Sequence, residues 1–364
     1  MIRDDCVYFI GEKPCQFKRV CEGCPHYTPF PMKILIIKGR ALGDVLRTTA
    51  LLPGLKRKYP ASHLTWLVDE ESLDLLCHNP YLDRIIPFRW QDLLRFLAEE
   101  YQVLICLDKE IPSTALATHI KSDHKFGFGL NRHGNLAVFN KASQYAYRLG
   151  VDDDLKFNKN TKTYQEIIYE ACELDYQKDR YIYQLVSEDR KKAQTFLQRQ
   201  KLKKNKPWIG INTGAGSKFE TKRWPRERFL ELVNLLTENQ KAAVFLLGGE
   251  KEETVNRWIE KKASAKVYNT GCANTLREFA GFLSFLDLVV SSDSLAMHLA
   301  LALQKKTVVL FGSTSPQEIE LYGLGQKIFA GVDCSPCYKA HCSDLKCMEA
   351  ISAQDVYQAI VKLI

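Results

Sequence analysis

Met32-Lys33-Ile34-Leu35-Ile36-Ile37-Lys38-Gly39-Arg40-Ala41-Leu42-Gly43-Asp44 is the stretch on which the fold turns. Residues 33–37 form a continuous apolar run, which predicts a strand buried on both faces of a parallel sheet. Gly39 and Gly43 punctuate a loop. A helical pattern then runs from Asp44 to about Lys58, with Leu46, Ala50 and Leu51 on its apolar stripe. Strand, glycine loop and helix together make the opening unit of a β-α alternation.

The same alternation continues outward. Residues 64–68, 84–86 and 103–107 read as further strands, with helical segments between them. A polar or helical stretch from about 141 to 206 contains no clear strand pair and closes the first unit. The pattern then restarts with strands at 208–212, 242–247, 288–290 and 307–311 and helices at 225–239, 251–263, 275–284 and 294–304. The expected class is α/β: two Rossmann-like domains in tandem facing a central cleft, with ligand at the carboxyl ends of the strands. The boundaries expected are a cysteine-rich extension at 1–31, a first Rossmann-like domain at 32–185, a second at 186–350 that includes the cysteines of 334–347, and a C-terminal helix at 351–364. The last helix, about 352–363, is expected to pack back across the domain junction.

The chain's 364 residues suit two domains, and its 46% hydrophobic and 26% charged residues are ordinary globular values. No run approaches the roughly 18 apolar residues of a membrane span. The first residues carry early acids and no long apolar core, so no signal peptide is read and a cytoplasmic location is expected. The net charge of +8 suits an anionic substrate or an anionic membrane surface, and nucleic acid is not indicated. The basic run Arg190–Lys206 reads as a solvated helix face and linker.

Three strand-to-helix loops carry the chemistry. In the first, Asp44 sits at a helix start, where a carboxylate favours the helix dipole. It could equally serve as a general base toward a substrate hydroxyl at a sheet's switch point. The second, Thr213-Gly214-Ala215-Gly216-Ser217-Lys218, is followed by Lys222-Arg223-Trp224-Pro225. Its small residues and cations suit a phosphate, and an unspecialised basic turn is the alternative. It fails both the nucleotide P-loop pattern and the dinucleotide pattern GxGxxG, which has Phe219 where the third glycine belongs. That weakens a nicotinamide oxidoreductase. The third loop, Ser291-Ser292-Asp293-Ser294-Leu295-Ala296-Met297-His298, could cap a helix and hold an anion, although a lone helical histidine is usually structural. Gly312-Ser313-Thr314-Ser315-Pro316 closes the next strand.

Twelve cysteines are the odd feature. Cys77, Cys106, Cys172 and Cys272 stand alone in apolar settings and read as small buried hydrophobes. The others form two groups, Cys334-x2-Cys337-x4-Cys342-x4-Cys347 and Cys6-x8-Cys15-x5-Cys21-x2-Cys24 with His26 nearby. Four soft ligands at short spacing suit structural zinc or iron, or an iron–sulfur cluster. Oxidative disulfides or free thiols are the alternatives, and the two groups could meet in space as one site.

Taken together, the sequence resembles glycosyltransferase family 9, the lipopolysaccharide heptosyltransferases. The segments that carry the resemblance are MKILIIKGRALGDVLRTTALLPGLKRKYP, INTGAGSKFETKRWPRERF, FLLGGEKEE, SSDSLAMHLALAL and LFGSTSP, spread over roughly residues 32–350. The resemblance implies a GT-B fold. It implies inverting transfer of heptose from ADP-heptose to the inner core of lipopolysaccharide, with no organic cofactor and with peripheral contact at the inner face of the inner membrane. It makes Asp44 the catalytic base. It places Thr213, Gly214, Ser217 and Lys222 at the donor phosphates, Glu250 at the ribose, and Asp293, Ser294 and His298 at the pyrophosphate and sugar. Leu295 departs from the family's usual glycine, and the extension at 1–31 lies outside the usual pattern. Cysteines like Cys334–Cys347 occur in many family members, and the related autotransporter heptosyltransferases bind iron through a comparable finger. Two other readings stay open: a member using another nucleotide sugar or acceptor, and a non-catalytic member governed by metal or redox chemistry.

Overall fold

The computed structural model describes residues 2–11, 15–216 and 219–364, apart from the side chain of Asp92. The first sheet contains β1 (Lys33–Ile37), β2 (His63–Val68), β3 (Arg84–Pro87), β4 (Glu100–Cys106), β5 (Lys121–Leu130) and β6 (Leu136–Val138), in the order β3-β2-β1-β4-β5-β6. All its pairings are parallel except β5 with β6. The second sheet contains β7 (Trp208–Asn212), β8 (Ala243–Leu247), β9 (Tyr268–Asn269), β10 (Leu288–Ser292), β11 (Lys306–Phe311) and β12 (Gly325–Phe329). Its order is β12-β11-β10-β7-β8-β9, parallel throughout. Counted within each half, both sheets run 3-2-1-4-5-6. Both therefore have a switch point beside their first strand, β1/β4 in one and β7/β10 in the other.

The central strands are the apolar runs read from the sequence, and β7, β8 and β10 are buried at every residue. The strands that reading missed lie at or next to sheet edges. Half of β5's residues are polar and three are exposed, β12 alternates half-exposed with exposed positions, and β9 is two residues long. Edge strands need no continuous apolar run, so they leave a weak signal.

The long helix expected after Asp44 is split into Leu42–Thr48 and Leu51–Lys58. Between them, the Thr49 hydroxyl donates to the Leu46 carbonyl at 2.6 Å and accepts the Ile182 N–H at 2.8 Å. This second bond ties the first domain to the segment that leads into the second. A correction concerns the last helix, Ala353–Val361. It packs within the second domain, where Val356 and Ile360 join a core with Phe229, Leu232 and Leu310. The Trp224 indole donates to the Ile351 carbonyl at 3.0 Å and anchors the approach to it. The junction is filled by other residues: Ala50, Tyr181, Met297, Leu301 and Phe311 form one buried cluster between the two halves.

Candidate active site in the interdomain cleft

The first switch point brings together the ends of β1 and β4. Lys38 follows β1, and its Nζ lies 2.7 Å from Asp108 Oδ1, just beyond β4. Asp108 Oδ2 accepts the Gly39 N–H at 2.7 Å and the Ser113 hydroxyl at 3.2 Å. The glycine loop is therefore pinned before the helix begins. Asp44 lies in the first turn of Leu42–Thr48, with no side-chain bond to the helix N-cap. Its carboxylate contacts Arg47 Nη2 at 2.9 Å and Lys38 Nζ at 3.9 Å and stays 37% exposed. Arg47 Cζ in turn lies over the Tyr164 ring, 3.7 Å from its centroid.

Burial acts to raise the Asp44 pKa, but Arg47 and Lys38 outweigh it and hold the carboxyl below its ordinary value. Lys38 behaves conversely: burial lowers its pKa, while Asp108 and Asp44 raise it further. Asp44 is thus ionised at neutral pH and held between two cations, a weak base in the ground state.

The second switch point brings together the ends of β7 and β10. Asn212 Nδ2 donates to the Gly214 carbonyl at 2.7 Å and to Ser291 Oγ at 3.2 Å. Ser291 Oγ lies 2.9 Å from Ser294 Oγ, at the N-cap of helix Leu295–Ala302. Thr213 is buried, and its hydroxyl donates to Asn256 Oδ1 at 2.6 Å. Ser217 lies outside the described residues. Lys222 Nζ pairs with Asp293 Oδ2 at 2.8 Å and also donates to the Asp293 carbonyl at 3.2 Å. Burial acts to raise the Asp293 pKa, but Lys222 and His298 outweigh it and bring it below its ordinary value.

Glu250 is exposed at the start of a short helical turn. The carboxylate that reaches back to the loops belongs to Glu252, which accepts the Gly249 N–H at 3.0 Å. A Cβ on Gly214 would lie 2.8 Å from that same carboxyl group, so Gly214 is the residue that lets Glu252 approach. Leu295 packs against the core shared by both halves.

The two half-sites meet. A Cβ on Gly43 would lie 2.7 Å from His298 Cδ2 and 3.1 Å from Nε2, so the Asp44 loop is seated on the histidine of the second domain. His298 is 5% exposed, and its Nδ1 has no hydrogen-bond partner among the described residues. Burial first, then Arg47, lowers its pKa to about 4, so the ring is neutral at pH 7. Two predictions follow from this contact. Gly43→Ala should push the halves apart, costing about 1–3 kcal/mol of stability and lowering turnover, as read by thermal melts and transfer rate. An unchanged melt and rate would show that the contact is not tight in solution. For pH, the unfolded chain binds a proton on His298 that the folded chain refuses. This contribution is therefore complete above about pH 6.5 and is lost as pH falls toward about 4. His298→Gln should flatten the fall in melting temperature across that window, and an unaltered slope would contradict it.

Sequence reading missed Lys38, Arg47, Asp108 and Glu252. Arg47 was findable as a cation three residues after Asp44, and Asp108 as a carboxylate at a strand end beside the switch point. Lys38 and Glu252 lie inside the segments MKILIIKGRALGD and FLLGGEKEE, but only the tertiary structure shows what they touch.

The cysteines depart from expectation. All twelve are free thiols. Among the described residues, no group of three or more His, Cys, Asp or Glu side chains is arranged to hold a metal ion, at 334–347 or elsewhere. Cys347 is turned into the core of the second domain, while Cys334 and Cys342 are exposed. What this segment does in the structure is brace the loops that follow β7 and β11. The N–H groups of Cys337 and Tyr338 donate to the Ser313 carbonyl at 2.9 and 2.8 Å. The Ala340 carbonyl accepts the Glu220 N–H at 3.1 Å, and the Lys339 carbonyl accepts the Thr221 hydroxyl at 2.6 Å. These bonds position the turn that carries Lys222. Cys106, Cys172 and Cys272 are buried as expected, but Cys77 is exposed, with its sulfur 3.1 Å from Arg277 Nη1.

The family model for glycosyltransferase family 9 (heptosyltransferase) matches residues 90–348. Lipopolysaccharide heptosyltransferase 1 of Campylobacter coli is 27% identical over 304 residues, covering 78% of this chain and 84% of that protein. Lipooligosaccharide heptosyltransferase 2 of Haemophilus ducreyi is 26% identical over 313 residues, with the same coverage of each chain. Among solved structures, a family 9 glycosyltransferase of Veillonella parvula superposes with a TM-score of 0.72 at 19% identity, over 92% of this chain and 98% of that one. The E. coli ADP-heptose heptosyltransferase II superposes with a TM-score of 0.67 at 20% identity, over 91% and 98%. Two Rossmann-like sheets facing one cleft make this the GT-B fold. With the family model covering well over half its length, the chain belongs to glycosyltransferase family 9.

Proposed function

We propose that this glycosyltransferase moves heptose from ADP-heptose to an inner-core sugar of lipopolysaccharide, with inversion and with Asp44 as the base. The observation that carries this reading is the meeting across the cleft of an ionised, accessible carboxylate on one domain with the Lys222–Asp293–His298 group on the other. The relatives named lipopolysaccharide and lipooligosaccharide heptosyltransferases support the choice of donor and acceptor.

In this reading the acceptor hydroxyl attacks the anomeric carbon from the face opposite ADP. The new glycosidic bond forms as the bond to the diphosphate oxygen breaks, and ADP leaves with the electron pair. Asp44 takes the hydroxyl proton. Held ionised by Arg47 and Lys38, it is a weak base, so transfer comes late, once bond formation has acidified the attacking oxygen. The donor phosphates are assigned to Thr213, Gly214, Ser217, Lys222 and the N–H groups at Ser294, and Lys222 answers the charge that gathers on the leaving diphosphate. The ribose hydroxyls are assigned to the turn beginning at Glu250, with Glu252 the carboxylate nearer the loop. His298 Nδ1, buried and unpartnered, is assigned to a polar group of donor or sugar.

Among the described residues no helix is long and apolar enough to cross a membrane. Contact with the inner membrane is part of the same reading, because its acceptor is a lipid. Trp90, Leu94 and Leu97, spaced along helix Trp90–Ala98 and 79%, 72% and 42% exposed, support it.

The test is mass spectrometry of the purified chain with ADP-heptose and a heptose-free inner-core lipid, free and in anionic vesicles. One added heptose with inverted anomeric configuration is expected. The double variant Trp90→Ser, Leu94→Ser should lose the vesicle rate more than the free rate. Transfer from a different nucleotide sugar alone would replace the donor assignment.

A further inference from the structure

The extension at 2–30 poses a physical problem of its own. A segment of about thirty residues cannot build a core sufficient to fold, and segments this short usually depend on disulfides, a metal or a partner. Here the usual apolar candidates are spent on the surface: Ile2, Ile10 and Val20 are 73%, 60% and 75% exposed. Among its described residues, regular pairing is limited to two isolated bridges, Cys6 with Pro29 and Phe9 with Cys15. Yet its described residues close around a small pocket of about 20 Å³.

All four of its cysteines, Cys6, Cys15, Cys21 and Cys24, line that one pocket. They come from three separate places in the chain. Cys6 and Cys15 sit on the two bridges and are buried, while Cys21 and Cys24 form a turn in which the Cys24 N–H donates to the Cys21 carbonyl at 3.2 Å. No disulfide joins them. His26 also lines the pocket, but its ring is stacked on Phe17 at 4.0 Å. Arg3 and Arg19 are also in the lining, among aromatic and apolar residues such as Tyr8, Phe9 and Tyr27.

We propose that this extension is a metal module in which Cys6, Cys15, Cys21 and Cys24 bind one tetrahedral ion of the zinc class, with a structural role. Four thiolates and a divalent ion carry a net charge of −2, which the two arginines at the rim answer. The Cys21-x2-Cys24 turn is the knuckle from which such sites are built, and four protein ligands leave no open position for chemistry. Among the described residues the four cysteines do not by themselves make a group that could hold an ion, so binding must draw them together, and it supplies the stabilisation that the missing core does not. The site is separate from the cleft and from Cys334–Cys347, so it stands whether or not the donor and acceptor are as proposed.

The experiment uses the full chain purified anaerobically with reductant. Elemental analysis should find one zinc per chain, and four thiols should resist maleimide until a chelator is added. Cys21→Ser with Cys24→Ser should lose the metal and the protection, whereas Cys334→Ser with Cys342→Ser should keep both. A thermal shift on adding ADP reports, in every variant, whether the two main domains remain folded. As a second measurement needing no variant, chelation of the wild-type chain should open residues 2–30 to limited proteolysis, and added zinc should close them again. Zinc that survives the Cys21/Cys24 change, iron with acid-labile sulfide in place of zinc, or free labelling of Cys6, Cys15, Cys21 and Cys24 in the native protein would each overturn the proposal.

Discussion

Asp44→Ala should lower turnover by about 10²–10⁴-fold, the usual range for a lost general base, while ADP binding stays near the wild-type value. Asp44 belongs to the first domain, and the candidate nucleotide loops belong to the second, so the substitution removes the proton acceptor without touching the diphosphate. The variant is not purely chemical, because it takes away the partner of buried Arg47, although Lys38 keeps Asp108. Asp44→Asn preserves the shape and one acceptor atom and should be nearly as inactive with a smaller loss of melting temperature. Single-turnover transfer rates beside an ADP titration separate the two effects. Wild-type turnover in either variant would remove Asp44 from the mechanism.

Lys222→Ala should raise the donor KM and lower kcat together. The ammonium now neutralises Asp293, with side chains only 15% exposed on both partners. A donor diphosphate would compete for that ammonium and gain more from it as the leaving oxygen becomes charged. Losing one charge-assisted bond costs about 1.5–3 kcal/mol, roughly 10–150-fold in kcat/KM. The alanine variant also leaves Asp293 facing the diphosphate with its charge unanswered, which adds repulsion. Lys222→Ala combined with Asp293→Asn removes that repulsion and should recover part of the KM but not the kcat. Unchanged KM and kcat in Lys222→Ala would reject a phosphate role.

The reach of the sequence can be judged at particular residues. Strands β1, β7, β8 and β10 were legible because a strand buried on both faces must be apolar throughout, and Gly39, Gly43, Gly214 and Gly216 marked the loops that follow two of them. From those two facts came the pair of Rossmann-like halves and the placing of Asp44, Lys222 and Asp293 at strand ends. The edge strands, the turn at Thr49 and the docking of Ala353–Val361 left no such periodic mark. The extension's cysteines could be counted, but only the fold puts all four on one pocket.

The electrostatics of the site were the least legible. Lys38 and Asp108 stand 70 residues apart, and Gly43 and His298 lie on different domains. Local sequence decided which backbone each residue would occupy, because hydrogen bonding and apolar burial are settled within a strand and its helix. Whether Asp44 is ionised, whether His298 is neutral and which carboxylate lies against Gly214 depend on charges and burial supplied by distant segments. Only the closed tertiary structure decides those, since Coulomb and desolvation energies follow distance in space rather than along the chain.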